Sequence, residues 1–152
     1  AGPVPASNGT TLAGIHRGFL SLYRRGKTSR VPRIIGGSSF GNNPILQAWV
    51  KNLPACEDLD QRSIRESSVN EPLVNWHSID GNEALTAIRS TGGWAGAASD
   101  RAMTSASRLI REKEGLSVLP ASTAGLIALL DQHAKSPLAP ERYVAVLTGR
   151  KP

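Results

Sequence analysis

The 152 residues suffice for one domain with an apolar core. At 39% hydrophobic and 20% charged residues the composition excludes a disordered chain, and no apolar run approaches membrane-spanning length. Cys56, the single cysteine, cannot form an internal disulfide and makes no metal cluster with the three scattered histidines, so a cytoplasmic location is expected. Much of the net charge of +6 sits in residues 24–30 and at Arg33, where Tyr23 is the one flanking aromatic. A solvated loop suits that stretch better than a nucleic-acid surface. Gly26, Lys27 and Thr28 do not make a P-loop, because the motif's first glycine falls at Ser21 and the triplet ends a helix. Neither nucleic acid nor a membrane is expected as a partner.

In chain order, Val4 and Pro5 read as the end of a strand. Leu12, Ile15, Phe19, Leu22 and Tyr23 share one face of a helix from Thr11, which Gly26 closes. Residues 33–37 form a brief buried strand, and Asn43 with Pro44 opens a helix carrying Ile45, Leu46, Trp49 and Val50. Residues 54–78 are polar, include Pro54 and Pro72, and read as an irregular excursion that packs on the sheet or borders a site. Asp80 and Glu83 resemble a capping box for a helix through Ile88, stopped by Gly92 and Gly93. Residues 94–98 are a strand of mostly small residues, which admits a close neighbour to its backbone. Ser99 or Asp100 caps the next helix, with Ala102, Met103, Ala106, Leu109 and Ile110 as its buried stripe and Gly115 as its end. Residues 116–119 read as a fourth strand, 120–135 as a deeply buried helix, and 143–148 as the last strand. This alternation predicts a single three-layer α/β domain, an open and mostly parallel sheet with helices on both faces.

Two segments carry the chemistry. Ser7, Asn8, Gly9, Thr10 and Thr11 form a turn of small residues at a helix start, where free amides and the positive helix end suit a phosphate. The same residues also suit an ordinary N-terminal cap, and local sequence leaves both open. Val146, Leu147, Thr148 and Gly149 end a short apolar strand with one hydroxyl at the sheet's carboxyl edge, where open α/β sheets place ligands. Ser122 reads as a helix cap. His16 and His77 lack carboxylate or serine partners at suggestive spacing and read as structural, and Trp49, Trp76 and Trp94 read as core. Cys56 reads as a loop thiol with no sign of activation.

Taken together these segments resemble the fold-type II pyridoxal-phosphate enzymes, and the threonine synthases most closely. The likeness rests on residues 7–15, 31–36, 41–44, 92–100, 114–116, 119–122 and 146–149, which recur in the family's order across nearly the whole chain. The resemblance implies pyridoxal 5'-phosphate as cofactor, its phosphate held by Ser7, Asn8, Gly9, Thr10 and Thr11 and its ring nitrogen facing Thr148. A neutral hydroxyl there leaves the ring a weaker electron sink than a carboxylate would, which suits β-elimination and β-replacement. It further implies a lyase converting O-phosphohomoserine to threonine and phosphate, and a homodimer of the full-length enzyme. β-Replacement on phosphoserine, as in cysteate synthases, dehydration of serine or threonine, and a non-catalytic binding module are the alternatives. The family's loop usually carries a second asparagine where this chain has Thr10 or Thr11, and several relatives have an acidic residue where this chain has Leu119. The family's Schiff-base lysine lies upstream of the phosphate loop, while Lys27, Lys51, Lys113, Lys135 and Lys151 sit in loop, helix-end or charged contexts. No catalytic residue is therefore expected here. The expectation is the C-terminal, cofactor-binding part of a longer enzyme, inert alone.

Overall fold

Two adjacent isoleucines set the architecture. Ile34 and Ile35 are both fully buried, although successive residues of a strand face opposite sides. Ile34 packs with Val4, Leu12, Ala84 and Ile88, whereas Ile35 packs with Ala128 and Leu129. Their strand therefore carries a helical layer on each face, the setting of a parallel sheet. The computed structural model, which describes residues 1–150, has this arrangement. β1 (Gly2–Pro5), β2 (Ile34–Ser39) and β3 (Trp94–Ala98) form a sheet in the order β1-β2-β3, with both pairs parallel. Val4 stands opposite Gly36, and Gly37 opposite Gly96.

The helices α1 (Thr10–Arg24), α2 (Pro44–Val50) and α3 (Gly81–Ser90) contribute Leu12, Ile45 and Ile88 to the Ile34 side. On the other side α4 (Asp100–Glu114) packs Met103 against Ala98, while α5 (Ala124–Lys135) lies against all three strands. This bears out the three-layer α/β expectation. Contact between α5 and the sheet is close because the facing positions lack side chains. A Cβ on Gly37 would sit 2.0 Å from the Ala124 carbonyl oxygen, and one on Gly96 would sit 2.9 Å from the Ala128 Cβ. Helix ends follow local chemistry: the Asn43 side chain accepts from the amides of Ile45 and Leu46, and Ser99 accepts from Ala102.

Several elements differ from the sequence reading. Residues 116–119 make no strand, only an isolated bridge between Val118 and Arg150. The 143–148 stretch is extended and runs along the outer edge of β1, but it is tied there by two bonds alone, Val144 N–H to the Ala1 carbonyl and Val146 N–H to the Pro3 carbonyl. Residues 120–135 divide into a 3-10 turn, Pro120–Thr123, and α5, whose outer face leaves Leu130 exposed. The apolar stripes of the long helices are half used. Phe19, Leu22 and Tyr23 on α1 and Leu109 on α4 are exposed, because no element among the described residues covers them. Trp76, read as core, is also exposed.

Candidate functional site

The chain's path creates a crevice at one end of the sheet. β1 leaves through α1 on one face, and the chain returns to the far edge of β1 after α5, which lies on the other face. Neighbouring strands whose connections run to opposite faces part at their carboxyl ends, and open α/β sheets bind ligands there. A cleft of about 350 Å³ lies at this point. Ser7, Asn8, Gly9, Thr10 and Thr11 line one side and Thr148 with Gly149 another, so all six residues singled out from the sequence share one cavity.

The 7–9 loop is held by its carbonyl groups. The Ala6 carbonyl accepts from the Ser38 hydroxyl at 2.6 Å, and the Ser7 carbonyl accepts from Asn43 Nδ2 and the Ser78 hydroxyl, each at 2.9 Å. The Asn8 carbonyl accepts from the Asp80 amide at 2.9 Å. In a trans peptide the N–H points opposite to the C=O of the same plane, and no peptide bond here is cis. Drawing these three carbonyls into the protein therefore turns the amides of Ser7, Asn8 and Gly9 outward. No side chain caps the first turn of α1, so further amides and the positive end of a 15-residue helix continue the series. The result is a cradle of backbone amides that could take an anion, with no lysine or arginine among the described residues that line it.

Gly9 is fixed twice over in this cradle. Its φ of 86° is left-handed, and a Cβ would lie 2.8 Å from both the Ala84 Cβ and the Asp80 carbonyl oxygen. The Thr10 hydroxyl donates to Asp80 Oδ2 at 2.5 Å, which commits its proton to a protein partner. This also corrects the capping-box reading: the Asp80 carboxylate makes no cap bond to α3 and serves the neighbouring helix instead. Asn75 Nδ2 donates to Asn8 Oδ1, so the irregular 54–78 excursion supports the loop, and its Pro72 and Leu73 form part of the cleft wall.

Across the cleft, Leu119 N–H donates to the Gly149 carbonyl at 3.0 Å. The Ser122 hydroxyl donates to the Leu119 carbonyl at 2.7 Å, a local turn bond that corrects the cap reading, since neither Pro120–Thr123 nor α5 has a side-chain cap. Thr148 is exposed to the cleft, and its hydroxyl has no partner among the described residues. His77 proves to have a carboxylate neighbour after all, with Nδ1 2.7 Å from Asp58 Oδ1 on the exposed side of the excursion. Burial pushes the Cys56 thiol up to about 11, with Arg89 opposing the shift, so the side chain is an inert thiol at neutral pH. Sequence reasoning missed Asn75, Ser78 and Asp80 as supports of the loop. Asn75 and Ser78 lie 67 and 71 positions from the residues they hold, and no local pattern links them.

The family described as "Pyridoxal-phosphate dependent enzyme" matches residues 3–149. The chain is similar to the threonine synthase of Methanocaldococcus jannaschii, 30% identical over 149 residues that cover 96% of this chain and 35% of that protein. It is similar also to the threonine synthase of Synechocystis sp., 30% identical over 146 residues with the same shares covered. It thus spans about a third of the length of these curated relatives. Among solved structures, a threonine deaminase from T.th. superposes with a TM-score of 0.73 at 16% identity, over 99% of this chain and 49% of that one. Threonine deaminase isoform 2 of Solanum lycopersicum gives 0.71 at 12% identity, over 97% and 39%. At those identities the shared property is the fold.

Proposed function

The chain belongs to the pyridoxal-phosphate-dependent enzyme family, and from that premise we propose that it is the cofactor-binding part of a threonine synthase-like lyase acting on O-phosphohomoserine. The observation that carries the assignment of the site is the cleft itself, with a cradle of outward amides at residues 7–11 and a free hydroxyl on Thr148. The structure fits the group on its own terms. A dianionic phosphate needs several donors, which the amides supply, and the position of Gly9 has no room for a side chain between loop and α3. The choice of substrate rests on the similarity to the threonine synthases.

In this reading Ser7, Asn8, Gly9, Thr10 and Thr11 hold the cofactor phosphate through backbone N–H groups, with the Thr11 hydroxyl as a further donor. Thr148 holds the ring nitrogen by a hydrogen bond that leaves it uncharged. Pro72, Leu73 and Leu119 exclude water from the cofactor's flanks, and Asn43, Asn75 and Ser78 keep the loop in its amide-out conformation. When bound, the cofactor supplies an electron sink for elimination and addition at the substrate's side-chain carbons. Among the described residues no lysine lines the cleft, and turnover is assigned to the longer protein and the substrate's contacts to its other part. An open recess of about 310 Å³, bordered by half-buried Ile15 and by exposed Phe19 and Val144, supports that larger assembly as a surface that further polypeptide would cover. A cytoplasmic homodimer completes the proposal. The test is the full-length protein with O-phosphohomoserine, where phosphate release with matching threonine formation is expected. Turnover of serine, threonine or phosphoserine in preference would reassign the substrate, and no turnover of any of these amino acids would remove the lyase reading.

A further inference from the structure

A second recess, of about 190 Å³, lies between α4 and the strap of residues 116–120 that leads to the cleft wall. Thr104 and Arg108, like Ser107 and Arg111, stand four residues apart on α4, so the four present one face, and Ser117 and Pro120 oppose them. The Ser107 hydroxyl donates to the Val118 carbonyl at 2.7 Å, which stitches the two walls together. Neither guanidinium pairs with a carboxylate among the described residues, although Glu112 and Glu114 lie on the same helix. The hydroxyls of Thr104 and Ser117 likewise have no protein partner there. The negative end of α4 accounts for basic residues in its last turn, as with Arg111 and Lys113, but it does not account for Arg108 or for Thr104 and Ser117 lining the same hollow.

We propose that this recess is a second oxyanion site, for a phosphate-type dianion, distinct from the amide cradle. Two guanidiniums match two negative charges, and two further donors on opposite walls suit a tetrahedral group better than a planar carboxylate with two oxygens. The site stands one peptide from the cofactor cleft, because Pro120 lines the recess and Leu119 lines the cleft.

The test uses the full-length protein with its cofactor bound, so that the cradle is already filled. Inorganic phosphate is titrated calorimetrically against potassium chloride at matched ionic strength, with acetate as a planar comparison. Saturable phosphate binding is expected, weakened about tenfold by each of R108Q and R111Q, the worth of one charge-assisted hydrogen bond. Both arginines are exposed, so the variants keep the fold. Absence of saturable binding, or binding equally strong in the R108Q/R111Q double variant, would overturn the site. Acetate binding as tightly as phosphate would overturn the tetrahedral assignment.

Discussion

Replacing Gly9 by alanine tests whether the cradle is a built feature or an ordinary helix start. The left-handed φ of 86° costs a residue with a Cβ roughly 1–2 kcal/mol. The added atom would also lie 2.8 Å from the Ala84 Cβ, 2.8 Å from the Asp80 carbonyl oxygen and 3.0 Å from the Ile45 Cδ1. Two of these neighbours belong to α3 or its cap and one to α2, so relief must come from shifting the loop, at about 1–3 kcal/mol for overpacking. The sum, about 2–5 kcal/mol, falls on the loop whose amides form the cradle. Gly14, in the same helix, is the internal control. A Cβ there meets nothing within 4 Å, so G14A should stabilise by about 0.5–1 kcal/mol. Urea midpoints of both variants in the full-length protein, with cofactor titration followed by tryptophan fluorescence, measure the two effects. A G9A protein within about 0.5 kcal/mol of wild type, the range of neutral surface changes, and with undiminished cofactor affinity would refute the reasoning.

Other outcomes follow from the same geometry. Asn43 is fully buried, caps α2 with its oxygen and donates to the Ser7 and Leu73 carbonyls with its nitrogen, so N43A should lower the denaturation free energy by about 2–4 kcal/mol. N43D keeps the cap but sets a buried, unpaired carboxylate oxygen against the same carbonyls, and should be at least as destabilised as N43A at neutral pH in the same urea titration. T148V should lower kcat of the full-length enzyme about tenfold, one hydrogen bond's worth, while T148S retains it; equal kinetics in all three would remove Thr148 from the site. The Cys56 thiol, raised by burial from 9.0 to about 11, keeps its proton in the folded chain over a range where the unfolded chain has lost it. Stability should therefore decline as pH rises from 9 toward 11. C56S should show less decline than wild type in paired urea titrations.

Much of the fold was legible because its signals are local. The small residues of β3, the Asn43-Pro44 helix start and Gly115, at φ 69° past the end of α4, lie where their short-range chemistry puts them. The misreadings share a cause. Residues 116–119 and 143–148 have strand composition, but a strand needs bonded neighbours, and the first finds only one bridge while the second meets only the outer edge of β1. The apolar faces at Phe19, Leu22 and Leu109 show correct periodicity, yet periodicity marks a face without saying what covers it.

The candidate site divides along the same line. Sequence by itself determined that residues 7–11 would end in a helix start with small residues and that a threonine would close the last extended segment, since backbone freedom and side-chain type are properties of the residues themselves. Only tertiary structure decided that these two places meet in one cleft, that the Thr10 hydroxyl is committed to Asp80, and that Asn43, Asn75 and Ser78 hold the loop. Those bonds join positions from 36 to 71 residues apart, and their geometry exists only once the sheet has brought the strand ends together.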